Sequence, residues 1–229
     1  MSQFWEQRLV NIREQLLLMS GLAEQSFVLS IRALMERNDK LCDAVEAGDS
    51  RIDDLEVEVD EMVMTFMATH APTARDCRMM LVATKISSNL ERIADEATKI
   101  VRRARDLNGK PPLKSAIDIA SMAGAAREML HDSISVFVDG NHDRSVGIIA
   151  RDRAVDEMKK QAERELVGQM MENSKEVDRA LHLMTVVRAI ERVADHATNI
   201  AEEVFYFYKA QNIRHEPSVK GAPPASEAR

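Results

Sequence analysis

The stretch Asn89-Leu-Glu-Arg-Ile-Ala-Asp-Glu-Ala-Thr-Lys-Ile100 returns, at an offset of 100 residues, as Ala189-Ile-Glu-Arg-Val-Ala-Asp-His-Ala-Thr-Asn-Ile200. The two align without a gap, so Glu91 and Asp95 fall on Glu191 and Asp195. Self-similarity at a fixed offset marks a duplicated unit. A second match pairs Asp49-Ser-Arg-Ile-Asp53 with Asp152-Arg-Ala-Val-Asp156 at an offset of 103 residues, and a few residues of loop account for the difference.

Breaks between these segments are sparse: Asn38-Asp39, Pro72, Asn108-Gly-Lys-Pro-Pro112, Gly140-Asn-His-Asp143 and Asn173-Ser174. Thr73 with Asp76 resembles a capping box, and Asn173 with Glu176 resembles one with Asn as the cap. Six helices follow, at about 3–37, 39–70, 74–107, 113–140, 143–172 and 175–212. Gly48 is a place where the second could bend. The fold class is all-α: two tandem three-helix bundles related by internal duplication, six long antiparallel helices. The first bundle is assigned to residues 1–109 and the second to 110–213; the Pro-, Gly-, Ser- and Ala-rich end, 214–229, reads as a disordered tail. Helices of about 30 residues run about 45 Å, so the molecule should be elongated.

Bulk composition agrees. Of 229 residues, 45% are hydrophobic and only 4% aromatic, which favours helices over sheets. A net charge of -7 argues against nucleic acid as a partner, since phosphate neutralisation needs a basic surface. The nearest basic cluster, Lys99, Arg102, Arg103 and Arg105, reads as a solvated helix face. Cys42 and Cys77 have neither metal-type nor redox-type spacing and are expected to be reduced. Neither a signal peptide nor an unbroken run of about 18 apolar residues is visible, so a soluble cytoplasmic protein is expected, without direct membrane insertion.

A helical wheel centred on Ala194 places Leu183, Val187, Ile190, Ala197, Ala201 and Val204 in one apolar stripe. Glu191, Asp195 and Glu202 border it, while Arg192 and His196 point nearly opposite. In the third helix Ala83, Leu90, Ala97 and Val101 form the stripe, bordered by Glu91 and Asp95. Carboxylates four apart repel, and desolvation at a core edge adds to the cost. A neighbouring cation, a proton or a metal ion must offset it. Hard cations and iron take carboxylate oxygens. Asp49 and Asp53 with Glu91 and Asp95 would form one metal site; Asp152 and Asp156 with Glu191 and Asp195 would form the other. The spacing alone is weak, because Asp/Glu-x-x-x-Asp occurs eight times in the chain. What singles these out is that four of the pairs recur at matching places. Interhelical ion pairs with Arg51, Arg92, Arg153 or Arg192 are the competing explanation. Glu128-Met-Leu-His131 has the form found in di-iron bundles, but those use two such motifs. His182, His196 and His215 read as solvated or hydrogen-bonded. Met62, Met64, Met67, Met79 and Met80 read as core around the turn between the second and third helices. No catalytic constellation is evident, so no enzyme is expected.

Leu90-Glu-Arg-Ile-Ala-Asp95 and Ile190-Glu-Arg-Val-Ala-Asp195 resemble the paired signatures of the PhoU family. Ala71-Pro-Thr-Ala-Arg-Asp76 is similar to its Pro-x-Ala-Arg-Asp turn, and Ile213-Arg-His215 to its ending. The departures are Ala94 and Ala194, where Gly is usual, and Tyr208-Lys-Ala-Gln211, which lacks a Gly. The resemblance spans about residues 3–215. It implies a cytoplasmic, often homodimeric negative regulator of the phosphate-starvation response. Such a regulator links the phosphate ABC transporter and its ATPase subunit to a sensor histidine kinase. It also implies multinuclear metal clusters on the acidic motifs, which fall here on Asp49, Asp53, Glu91, Asp95, Asp152, Asp156, Glu191 and Asp195. Iron, zinc, manganese and magnesium all remain open. The alternative is a carboxylate-rich protein with metal-dependent phosphatase or metal-storage activity.

Overall fold

The computed structural model describes residues 3–69, 71–113 and 117–214. Among these, every regular element is helical: α1 Gln3–Glu36, α2 Asp39–Thr69, α3 Ala74–Asn108, α4 Ile119–Asp139, α5 Arg144–Glu172 and α6 Val177–Lys209. A single 3-10 turn, Ser174–Glu176, precedes α6. Helices α1, α2 and α3 pack together as one bundle, and α4, α5 and α6 as a second.

Local chemistry sets the ends. Thr73 and Asp76 form the expected capping box: Thr73 N–H donates to Asp76 Oδ2 at 2.9 Å and Asp76 N–H to Thr73 Oγ1 at 3.4 Å. Asn173 acts differently. Its Oδ1 accepts from Lys175 N–H at 3.1 Å, a shorter reach that fits the 3-10 turn, so α6 begins at Val177 rather than 175. Helix α4 begins at Ile119 instead of 113. Asp118 caps it, accepting Ser121 N–H at 2.9 Å and Ser121 Oγ–H at 2.6 Å. Residues 114–116 of that expected helix, and 215–229 of the expected tail, lie outside the described residues. Helix α6 stops at Lys209 because Ala210 turns into the left-handed region at φ 54°. Helix α2 runs unbroken through Gly48. Gly140 closes α4 at φ 71°, a left-handed turn that favours glycine, and a Cβ there would press on Tyr208 Oη at 3.1 Å.

Helices α3 and α6 lie at the centre. Val82, Ile86, Leu90, Ile93 and Val101 recur at helical spacing along α3, as Val186, Ile190, Val193, Ile200 and Val204 do along α6, and all are buried. Each contributes about 1.5–3 kcal/mol through removal from water. Because α3 packs on α6 as well as on α1 and α2, one apolar core runs through both bundles. Helix α1 also meets α4, where Arg127 Nε reaches Glu24 Oε1 at 2.8 Å. By length and mean hydropathy α1 is, among the described residues, the one helix that could cross a membrane. Scattered polar residues keep it from being an unbroken apolar run, which is why it does not stand out in the sequence. Here its Ile12, Leu16, Met19, Ala23 and Phe27 are buried in the core. Two arginines hold the linker between the bundles. The Arg37 guanidinium donates to the carbonyls of Leu107, Asn108 and Lys110, a favourable place for a cation at the C-terminal end of α3. Arg179 Nη1 donates to the Pro111 carbonyl at 2.8 Å.

Candidate functional site

Helical periodicity places Glu91, Asp95 and Thr98 along one edge of α3, and Glu191, Asp195 and Thr198 along the matching edge of α6. The α2–α3 hairpin brings Asp49, Asp53 and Glu56 alongside the first edge. The α5–α6 hairpin brings Asp152, Asp156 and Lys159 alongside the second. Both predicted quartets are thus brought together, and their carboxyl groups feel one another. Burial raises the Asp49 carboxyl, helped by the charges of Asp53 and Asp95, while the nearby Thr98 hydroxyl and Arg102 pull the other way. Glu91 is raised by burial, then by Asp95, Glu56 and Asp53. Asp195 is pushed up to about 6, first by burial of its carboxyl and then by Glu191, Asp152 and Asp156, against the opposing effect of Lys159. Asp53 and Asp195 are exposed as residues and the other six are half-buried, so solvent reaches both sets. Among the described residues no three Asp, Glu, His or Cys side chains converge closely enough to share one ion.

The two sets differ in what surrounds them. Two of the four arginines named as competing partners serve elsewhere: Arg51 pairs with Glu58 at 2.8 Å and Arg192 with Glu96 at 3.3 Å. In the second set the counter-ion is Lys159. Its Nζ lies 2.5 Å from Glu191 Oε1 and 3.8 Å from Asp156 Oδ1. Burial works to lower the Lys159 ammonium pKa, but the Glu191 hydrogen bond and the charges of Glu191, Asp156 and Glu163 outweigh it and raise it. In the first set, among the described residues, Asp49, Asp53, Glu56, Glu91 and Asp95 form no ion pair. The Thr98 hydroxyl, on a residue only 3% exposed, lies beside Asp49 without good hydrogen-bond geometry, and its counterpart Thr198 is buried and unpaired in the same way. Hard oxygen donors and charge that no direct ion pair neutralises suit a multivalent cation at the first set. The second already holds a cation.

Lys159 does not stand out in the sequence, although the 103-residue offset aligns it with Glu56. Nor does the polar seam between the bundles. Arg192 and His196 do point away from the apolar stripe of α6, but what they face is α3. The Glu96 side chain, 5% exposed, accepts from Lys99 Nζ at 2.9 Å and Arg192 Nη1 at 3.3 Å. Glu203 accepts from Lys85 Nζ at 3.1 Å and also from Arg214. His196 Nδ1 lies 3.0 Å from Asn89 Oδ1, and burial lowers its pKa. A polar cavity of about 500 Å³ opens at this seam, lined by Arg92, Glu96, Asp152, Asp195, Glu202 and Arg214 among others.

The basic cluster is not simply a solvated face. Lys99 pairs with Glu96, Arg103 with Asp106 at 3.0 Å, and Arg105 with Asp43 at 2.6 Å and Glu46 at 2.7 Å. Glu128 and His131 are exposed, and Cys42 and Cys77 are free thiols. Met79 and Met80 enter the core as expected, whereas Met64 and Met67 remain exposed. His182 is half-buried, 3.4 Å from Asp106 and 3.6 Å from Asp178.

The class defined by this fold is a duplicated three-helix bundle with a carboxylate set between the last two helices of each copy. A family model of the PhoU domain matches twice, over residues 16–104 and 119–204. The chain is 35% identical over 207 residues to the phosphate-specific transport system accessory protein PhoU of Serratia marcescens, covering 90% of this chain and 85% of that protein. The crystal structure of PhoU from Pseudomonas aeruginosa superposes with a TM-score of 0.88 at 31% identity, covering 90% of this chain and 100% of that one. The fold is shared, at 18% identity and a TM-score of 0.84, with the phosphate transport system regulatory protein PhoU from Streptococcus pneumoniae, over 91% of this chain and 98% of that one. The chain belongs to the PhoU family.

Proposed function

We propose that this protein regulates phosphate transport and has no catalysis of its own. It acts in the cytoplasm, as a homodimer, and links the ATPase subunit of a phosphate ABC transporter to a phosphate-sensing histidine kinase. It holds the starvation response off while phosphate is plentiful. The observation that carries this reading is the match, over most of both chains, to the Serratia marcescens accessory protein. Long helices on one shared core give a stiff platform for partners. Exposed apolar side chains, Met64, Met67 and Leu81, flank the α2–α3 turn, and Val167, Met171 and Leu181 flank the α5–α6 turn. The test is deletion of the gene in its own host, with alkaline phosphatase measured in phosphate-replete medium. High activity despite ample phosphate is the expected result; unchanged activity would overturn the reading.

The acidic residues enter the same proposal as cation sites: Asp49, Asp53, Glu91 and Asp95 in the first bundle, Asp152, Asp156, Glu191 and Asp195 in the second. A bound iron, zinc, manganese or magnesium ion would supply the positive charge that a carboxylate set needs and could recruit phosphate or a partner's acidic residue. The residues themselves present the oxygens along each helix edge, and the Lys159–Glu191 pair ties α5 to α6. Substituting Asn or Gln at all eight should abolish bound metal. If regulation survives that loss, the metal has no regulatory role.

A further inference from the structure

The two acidic sets are copies, yet they carry different charge. Asp49, Asp53, Glu91 and Asp95 align with Asp152, Asp156, Glu191 and Asp195. The next position along the same face is Glu56 in α2 and Lys159 in α5. The first set is therefore five carboxylates, and the second is four carboxylates and an ammonium.

We propose that the two sets are unequal cation sites: the α2–α3 set takes a divalent cation, whereas Lys159 stands in the cation's place in the α5–α6 set. This rests on the reading of the acidic residues as cation sites. Two observations support the inequality. The Lys159 ammonium already lies within ion-pair distance of Glu191 and Asp156, at 2.5 and 3.8 Å, so an incoming cation must displace it. At the first set Arg92 and Arg102 are near enough to be felt by Glu91 and Asp49 but pair with neither; Arg102 instead lies 3.9 Å from Glu46. The buried Thr98 hydroxyl lies beside Asp49 and offers one more hard oxygen there, but Thr198 is its equally buried counterpart in the other copy, so the inequality rests on Lys159 and Glu56. Like charges with no internal counter-ion attract a divalent cation more strongly than a set that is already part-neutralised.

The experiment is titration of the metal-stripped full chain with Mn²⁺ alone, reading free Mn²⁺ by its paramagnetic resonance signal. The wild type should show one tight class of binding. Glu56→Lys should weaken that class at least tenfold. Lys159→Glu should add a second tight class, and Lys159→Gln a weaker one. Melting curves of each metal-free variant check folding, and Lys159→Gln carries the test if Lys159→Glu does not fold. Two equal classes in the wild type, with Glu56→Lys removing only one, would overturn the inequality and leave the cation reading standing. No Mn²⁺ binding by any variant would overturn both.

Discussion

The α2–α3 and α5–α6 hairpins began as the same unit and now handle charge in opposite ways. In the first, Asp49, Asp53, Glu56, Glu91 and Asp95 share an edge with no ion pair among the described residues, and burial and mutual repulsion raise the Asp49 and Glu91 carboxyls. In the second, Lys159 pairs with Glu191 and Asp156. A duplicated backbone therefore keeps the carboxylates in register while a single side chain decides whether the set contains its own counter-ion. Repeats preserve geometry more readily than charge, because packing constrains the equivalent buried residues Ile52 and Val155, whereas half-buried residues such as Glu56 and Lys159 can change with little strain.

Removing that side chain in each copy sharpens the contrast most. In EDTA, Lys159→Ala should destabilise the protein by about 2 kcal/mol, because it leaves a half-buried Glu191 without its charged hydrogen-bond donor. For a chain of this size that corresponds to a melting temperature about 4–8 °C lower. Glu56→Ala under the same conditions should raise stability by a few tenths of a kcal/mol, since it removes a like charge facing Glu91. Thermal melts of the two variants decide the matter. Changes of the same sign would break the comparison.

Acid titration gives a smaller effect of defined sign. The Asp195 carboxyl is raised from 3.8 to about 6 in the fold, so the folded state favours its neutral form. Its contribution to stability is fully present below pH 3.8 and is lost as the pH rises through 6. Asp195→Asn, which stays neutral, should therefore gain on the wild type across that window in EDTA. The expected gain is on the order of 1 kcal/mol, with solvent screening taken into account. Melts at a series of pH values measure it, and a variant less stable than the wild type at neutral pH would contradict the shared field of the second set.

The architecture is legible in the repeat, because Glu91 and Asp95 recur as Glu191 and Asp195 beside the same apolar stripe. The helical wheel puts those carboxylates at the core boundary, where the structure has them. It cannot say which helix covers the opposite face. Glu96 is neutralised partly by Arg192 and Glu203 partly by Lys85, partners about a hundred residues away that no local spacing reveals. Lys159, read by itself, is an ordinary helix lysine; only superposing the copies shows that it replaces a glutamate. Asp118 is hidden as a cap because Pro111 and Pro112 give the stronger punctuation and Ser121 is not the Glu or Gln of a full capping box.

The two turns offer the finest test of how far the copies have diverged. Thr73 and Asp76 satisfy two backbone N–H groups reciprocally at the start of α3, with Thr73 Oγ–H also donating to Asp76 Oδ2 at 2.6 Å. Asn173 satisfies one backbone N–H, that of Lys175, and its amide reaches Glu176 Oε1 at 3.1 Å. An exposed cap is worth about 0.5–2 kcal/mol, and the 3.4 Å bond from Asp76 N–H puts Thr73 toward the lower end. Thr73→Ala should therefore cost about 0.5–1 kcal/mol, and Asn173→Ala only a few tenths, because a 3-10 turn already pairs Glu176 N–H with the Asn173 carbonyl at 2.9 Å. Urea unfolding resolves the difference if the two variants keep the wild-type slope. Amide exchange at Asp76 locates it, since that N–H loses its side-chain acceptor in Thr73→Ala, while Glu176 N–H keeps its backbone acceptor in Asn173→Ala. Equal losses at the two turns would mean that the 3-10 turn depends on the Asn173 side chain as much as α3 depends on its box.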